Sequence, residues 1–175
     1  ALTGVDPRDE ATNAGRGHAV ADYTQFLDKD GLRGMRLGVA RKFFGFSDRV
    51  DKLMNDLLAE MKRLGAILVD PADIPTQGKF DDSEFEVLLY EFKADLNKYL
   101  KSLANGAQVH SMEDVINFNE ENRDKVMPFF GQEHMVTAQE KPSLSDKKYK
   151  DALAKNHSFA RTKGIDAAMR KHKLD

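Results

Sequence analysis

One stretch, residues 34–70, constrains the fold most, because it reads as strand, helix and strand. Residues 35–40 form a short, nearly continuous apolar run, typical of a parallel strand covered on both faces. A second short strand follows at residues 67–69. Between them, apolar residues recur at helical spacing and form one stripe: Val50, Leu53, Met54, Leu57, Leu58, Met61 and Leu64. The pattern predicts a parallel βαβ unit with a right-handed crossover.

The ends of the predicted helix carry the expected signals. Ser47 can cap the N-terminus, and Asp48 and Asp51 place negative charge in the first turn, where the helix dipole favours it. Gly65 stands where a left-handed residue commonly ends a helix. These signals predict a helix that begins just after Ser47 and ends just before Gly65.

A second amphipathic helix is predicted to start near residues 81–83 and to end at Asn105-Gly106. Ser83 and Glu86 have the spacing of a capping box, and Asp81 with Glu84 offers an alternative register. The apolar stripe of this helix contains Phe85, Leu88, Leu89, Phe92, Leu96, Tyr99, Leu100 and Leu103.

Further helices are predicted downstream. Ser111 can cap a shorter helix, a helical turn fits residues 132–138, and the longest helix spans about Ser145–His172. Ser145 lies at its cap position, and Gly164 falls inside it. The predicted fold class is therefore α/β and mostly helical, with one parallel βαβ unit and three or more amphipathic helices. Two strands make a poor free-standing sheet, so both are expected to need neighbours.

Charge and hydropathy exclude several classes. The 175 residues have a formal net charge of −2, so no basic field favours nucleic acid or an anionic membrane surface. Although 41% of the residues are hydrophobic, no run reaches the roughly 18 needed to cross a bilayer. We expect neither nucleic acid nor a membrane as a partner.

Cysteine and histidine usage restricts the chemistry. The chain has no cysteine, which excludes a disulfide, a thiolate nucleophile or a cysteine zinc site and fits a reducing, cytoplasmic compartment. Its 5 histidines include no His-x-x-x-His pair. The segment after the first strand contains Gly45 alone, which is too little glycine for a phosphate-binding turn. We therefore expect no metal site and no cofactor.

Residues 127–133, Met-Pro-Phe-Phe-Gly-Gln-Glu, have a less ordinary composition. The segment combines two aromatic side chains with a glycine and two polar side chains in a predicted loop, as in loops that line pockets. Phe129, Phe130, Gln132 and Glu133 are the candidate site residues. The alternative is that the two phenylalanines plug the core.

Several segments resemble the amidase signature family. Leu-Thr-Gly-Val-Asp-Pro-Arg-Asp at residues 2–9 resembles the segment that follows the family's catalytic core, and residues 31–41 resemble its next strand. The branch that includes peptide amidases is similar at residues 88–100, 130–133 and 164–168. The resemblance covers essentially the whole chain.

The resemblance implies a hydrolase of carboxylic amides that uses a Ser–cis-Ser–Lys triad without metal or cofactor. The family's lysine and its Gly/Ser-rich double-serine loop lie upstream of the matched segments, so this chain supplies no catalytic residue. The chain would be a middle-to-late fragment, inactive alone. The missing initiator Met and the helix-exit pattern of residues 171–175 also suggest a piece of a longer protein.

By analogy, the fragment adds strands to the edge of a larger mixed α/β/α sheet. Residues 1–33 would form an N-terminal loop, residues 34–70 the βαβ unit and residues 71–175 the helices that shape the substrate cleft. Phe129, Phe130, Gln132 and Glu133 would line that cleft. The expected partners are a small amide or peptide-amide substrate in the parent enzyme and a second copy through exposed strand edges. The alternative function is an autonomous helical binding or scaffolding module.

Overall fold

A computed structural model describes residues 4–103 and 106–175, which form two compact units. The first extends to Ala72 and also includes Lys173–Asp175, and the second is Asp73–His172. The described residues are mostly helical, with one small parallel sheet. The predicted α/β, mostly helical fold class is confirmed.

The first unit contains the predicted βαβ arrangement. Strand β1 (Arg36–Gly38) is followed by helix α1 (Asp48–Arg63) and strand β2 (Ile67–Val69). The strands pair in parallel, with Arg36 opposite Ile67. Strand β1 is shorter than the predicted run of residues 35–40, and a 3-10 turn follows at Arg41. Two more 3-10 helices, Glu10–Gly15 and Tyr23–Phe26, precede it.

The predicted ends of α1 are confirmed. Ser47 occupies the N-cap position, although its side chain makes no capping hydrogen bond. Gly65 has a φ of +97°, and a Cβ atom there would lie 3.2 Å from the Cα atom of Arg33. Both the left-handed backbone and this close approach favour glycine.

The prediction that both strands are buried on two faces is wrong for the described structure. Ile67 is 48% exposed and Gly38 is also exposed. Helix α1 contains no buried residue. An apolar run shows which surface can be buried, but the covering element must be present, and α1 contacts little beyond β2 among the described residues of this unit.

The edge of β1 that faces away from β2 is engaged by the last residues of the chain. The backbone N–H of Asp175 donates to the Arg36 carbonyl oxygen at 3.2 Å. The Asp175 carboxylate accepts from the Arg36 backbone N–H at 2.9 Å. Leu174 packs against Gly38 so closely that a Cβ atom there would lie 2.4 Å from its Cδ1. Any replacement of Gly38 must therefore displace the Leu174 side chain.

The second unit is built around helix α2 (Asp81–Lys101). The other helices are α3 (Met112–Glu121), α4 (Arg123–Val126), α5 (Glu133–Gln139), α6 (Lys147–His157) and α7 (Asp166–His172). One buried cluster joins α2 to α6 and consists of Val87, Tyr90, Tyr149 and Ala152. Another joins α2 to α3 and α5 and consists of Leu89, Met112 and Ala138.

Two predicted helix caps in this unit are wrong. Helix α2 begins at Asp81 with Phe80 at its N-cap, which excludes both proposed capping-box registers. Ser83 is buried, within hydrogen-bond distance of the Phe80 carbonyl (2.8 Å) and the Asn156 side chain (2.7 Å). Ser83 therefore does not cap the helix, because it is buried and its hydroxyl group contacts other residues.

At α6 the cap is Asp146, whose carboxylate accepts from the Lys148 N–H at 2.8 Å. Ser145, the predicted cap, pairs with the Ser143 hydroxyl instead. The cap predicted at Ser111 is confirmed, since its side chain accepts from the Asp114 N–H. Helix α2 ends at Lys101, and Asn105 of its predicted end lies outside the described residues.

The long helix predicted over residues 145–172 is interrupted. A π-helical segment, Ser158–Ile165, separates α6 from α7, and Gly164 within it has non-helical angles. The Thr76 hydroxyl donates to the Phe159 carbonyl oxygen at 2.6 Å. A Cβ atom on Gly164 would lie 2.1 Å from that oxygen. The glycine is therefore required by a close backbone approach that helical periodicity does not reveal.

Candidate functional site

The loop between α4 and α5 presents two aromatic side chains outward. Phe129 is 87% exposed and Phe130 is 85% exposed. The alternative that they plug the core is therefore wrong for the described structure. Adjacent exposed aromatics of this size can cover an apolar group of a ligand. Their role in lining a substrate cleft remains a prediction.

Gln132 ties this loop to α3. Its Nε2 atom donates to the Ile116 carbonyl oxygen at 3.1 Å and lies 3.3 Å from the Glu120 carboxylate. Its Oε1 atom accepts from the Asn119 amide at 3.2 Å. Both the nitrogen and the oxygen of the Gln132 side-chain amide therefore hold the loop in position. This is a structural role and not a catalytic one.

Glu133 begins α5 and is exposed. Its negative charge at the first helical residue is favoured by the helix dipole. The carboxylate folds back over Gly131, where a Cβ atom would lie 2.4 Å from its Oε1. The Glu133 side chain can adopt this conformation because residue 131 is a glycine and has no side chain.

Three of the four predicted site residues line one hollow of about 280 Å³, and Phe129 does not. The lining consists of Asn119, Val126, Met127, Phe130, Gly131, Gln132, Glu133, His134 and Met135. Amides and a carboxylate beside apolar side chains can bind a polar organic group. The residues that line the hollow can bind a ligand, but they include no nucleophile paired with an activating base.

The serines whose contacts we describe do not pair with lysine. The hydroxyls of Ser83 and Ser102 donate to backbone carbonyls, and that of Ser111 accepts from a backbone N–H.

In residues 4–103 and 106–175, no group of three or more His, Asp or Glu side chains could hold a metal ion. No described helix is both long and apolar enough to cross a membrane.

Sequence reasoning missed a half-buried charged cluster between α2 and the start of α6. Glu86 accepts from Lys141 at 2.9 Å and also pairs with Lys148 at 2.9 Å. The hydrogen bond from Lys148, reinforced by Lys141, lowers the pKa of Glu86 despite its partial burial. Glu86 and Lys141 lie 55 residues apart in the chain, so no local spacing could reveal the pair.

Comparison with known proteins finds similarity along the whole chain. A probable amidase of Arabidopsis thaliana is 37% identical over 100% of this chain and 33% of its own length. The crystal structure of a peptide amidase in complex with the competitive inhibitor chymostatin superposes with a TM-score of 0.88, at 37% identity over 100% of this chain and 35% of that one.

The native peptide amidase of Stenotrophomonas maltophilia superposes with a TM-score of 0.86, again at 37% identity over 100% of this chain and 35% of that structure. No protein-family profile matches the chain. The chain thus spans about a third of the length of the relatives it matches.

Proposed function

This chain belongs to the amidase signature family, in its peptide amidase-like branch, and from that membership we propose that it forms part of an enzyme that hydrolyses carboxylic amides. The observation that carries the proposal is the similarity over 100% of the chain to a peptide amidase structure, with a TM-score of 0.88. Likeness of sequence and of backbone along the same residues supports common descent as well as a shared fold.

The catalytic residues are proposed to lie in a part of the polypeptide outside these 175 residues. In the mechanism that the family resemblance implies, a lysine acts as base and a serine preceded by a cis peptide bond relays the proton. A second serine attacks the amide carbon, the C–N bond breaks, and the nitrogen leaves as ammonia or an amine after taking up the relayed proton. Water then hydrolyses the acyl-enzyme to the carboxylate and the free serine. Backbone N–H groups stabilise the oxyanion. The support for this placement is that the chain covers 35% of the matched peptide amidase.

The role proposed for this chain is to form one wall of the substrate cleft. The exposed faces of Phe129 and Phe130 would contact an apolar side chain of the amide substrate. Gln132 would hold their loop on α3, and Glu133 would contribute a polar group at the rim. The proposed substrate class is a small amide or a peptide with a C-terminal amide, because the matched structures are peptide amidases.

The first test uses the complete polypeptide encoded by the gene that contains this segment. Ammonia release from a peptide amide with an apolar C-terminal residue should be catalysed by that protein. Absence of turnover on peptide amides and simple aryl amides would contradict the proposed function and would favour a helical binding or scaffolding module.

The second test addresses the cleft in the same complete protein. Phe130→Ala should raise KM about tenfold with kcat little changed, since the lost contact acts in substrate binding. Phe43→Ala removes a half-exposed aromatic from the first unit and is the matched control. Equal KM values for the two variants would contradict the proposed contact between Phe130 and the substrate. They would leave the proposed amidase activity unaffected.

A further inference from the structure

A second hollow, of about 510 Å³, lies beside α2 and shares no lining residue with the one around Gln132. It is lined by Tyr90, Lys93, Ala94, Asn97, Lys141, Pro142, Ser143 and Leu144. Its volume falls within the range of small-molecule sites. Two of its lining side chains carry a positive charge and none carries a negative one.

Lys93 is the unusual member of this group. Its half-buried ammonium group donates to the carbonyl oxygens of Gln139 and Lys141, both at 2.6 Å. Among the described residues, no carboxylate forms an ion pair with it. An ammonium group has three protons, so one donor and the full positive charge are left for another partner. A partly buried charge that is bonded only to neutral carbonyl oxygens favours binding of an anion.

The neighbouring polar groups also act as donors. Asn97 uses its Oδ1 atom to accept from the Met112 N–H at 2.8 Å, which leaves its NH2 group for a ligand. The Tyr90 hydroxyl donates to Asp146 at 3.0 Å. Burial, together with this carboxylate, raises the pKa of Tyr90, so the phenol stays neutral. Ala94, Pro142 and Leu144 add apolar lining, and the Ser143 hydroxyl pairs with that of Ser145.

We infer that this hollow is a binding site for a small monocarboxylate, whose head group contacts Lys93 and the Asn97 amide and whose aliphatic part packs on Pro142 and Leu144. Lys141 adds positive charge at the rim, although Glu86 partly neutralises it. Carboxylates bind well to charged donors whose positions are fixed in advance. A neutral amide of the same shape lacks the charge and is disfavoured.

The test is a titration of the 15N-labelled chain with sodium butyrate at constant ionic strength, followed by NMR chemical shifts. Butyrate should produce saturable shifts in residues 90–97 and 141–144. Butyramide, which has the same shape without the charge, should produce at most weak, non-saturating shifts. Equal behaviour of the two probes, or no saturable shift with butyrate, would overturn the inference.

Variants identify the site. Asn97→Asp keeps an acceptor for the Met112 N–H and leaves both bonds of Lys93 to the backbone in place, but it adds a competing carboxylate. Butyrate should bind at least about tenfold more weakly, or 1.4 kcal/mol. Lys93→Met should give the same loss. Lys98→Gln, on an exposed part of α2, is the matched control and should bind butyrate normally. Unchanged affinity in Asn97→Asp, with its circular dichroism preserved, would contradict the site.

Discussion

Helices α1 and α2 both carry apolar residues at helical spacing, but α1 buries none of its residues, whereas α2 buries some and leaves others, such as Leu88, exposed. In α1, Leu53 is 59% exposed and Leu57 is 44% exposed. In α2, Leu89 is 4% exposed and Tyr90 is 2% exposed. The difference shows that apolar spacing alone does not determine which residues are buried, because burial depends on the elements that are present to cover them.

The covering elements differ between the two units. Helix α2 packs against α3, α5 and α6, each within Asp73–His172. Helix α1 packs against the short strand β2. The second unit therefore has an internal core, and the first carries apolar surface of the kind that interacts with further protein. This agrees with a chain that spans about a third of the relatives it matches.

The largest expected effect is at the centre of the second unit. Met112 has 0% exposure, so Met112→Ala should lower the free energy of unfolding by about 4 kcal/mol through lost burial and a cavity. Leu57→Ala in α1 should cost about 1 kcal/mol or less, because that side chain is already partly in water. Urea unfolding followed by circular dichroism measures both. Equal losses of unfolding free energy in the two variants would contradict the difference in burial between the two units.

Gly164→Ala should cost about 3 kcal/mol, because the new methyl group would contact the Phe159 carbonyl oxygen. Gly15→Ala in the first unit is the matched control, since no atom lies within 4 Å of a Cβ atom placed there. That variant should be neutral or slightly stabilising. Thermal unfolding distinguishes the two, and a stable Gly164→Ala protein would argue against the close approach at the π-helical segment.

Glu86→Gln should cost about 2 kcal/mol at neutral pH, because two lysines lose their charged partner. The folded-state pKa of Glu86 is lowered from the ordinary 4.5, so its stabilising contribution is present above that pH and is lost as the pH falls through the folded-state pKa. Urea unfolding across the acid range should therefore show a flatter pH dependence in Glu86→Gln.

Glu84→Gln is the matched control for that experiment, since Glu84 lies two residues earlier on α2 but is exposed. Its pH dependence should follow that of the unaltered chain. An identical acid dependence in the unaltered chain and in Glu86→Gln would show that the ion pairs with Lys141 and Lys148 do not contribute.

The smallest effect on stability is expected on the exposed face of α1. Leu53→Lys should change the free energy of unfolding by less than about 0.5 kcal/mol. It should nevertheless reduce self-association in sedimentation velocity, because it places charge in an exposed apolar stripe. Lys52→Gln, beside the stripe, is the control. A monomeric unaltered chain at all concentrations would contradict the predicted self-association.

Short sequence patterns correctly predicted the structural features that depend on residues close together in the chain. The apolar spacing and Gly65 predicted α1 and its end, and Ser111 predicted the start of α3. Residues 67–69 were assigned correctly to a strand that pairs in parallel with β1. In each case the decisive contacts lie within a few residues of the signal or follow from the handedness and packing of a βαβ unit.

The errors arise where a contact that the local pattern does not show determines the structure. Ser83 has a side chain suited to capping, but Asn156, which lies 73 residues away, provides a partly buried partner. Gly164 interrupts a helix because Phe159 approaches it, and Thr76 contributes the compensating hydrogen bond. In the candidate site, the composition of residues 127–133 indicated Gln132, but only the fold reveals that it is held by Asn119 and Ile116.

Ammonia release from a C-terminal peptide amide tests the proposal that this chain is a segment of an amidase whose catalytic residues lie elsewhere. The purified 175-residue chain is compared with the complete polypeptide of its gene at equal concentration. We predict turnover by the complete protein and none above the buffer control by the 175-residue chain. Turnover by the chain that persists through repurification would contradict it.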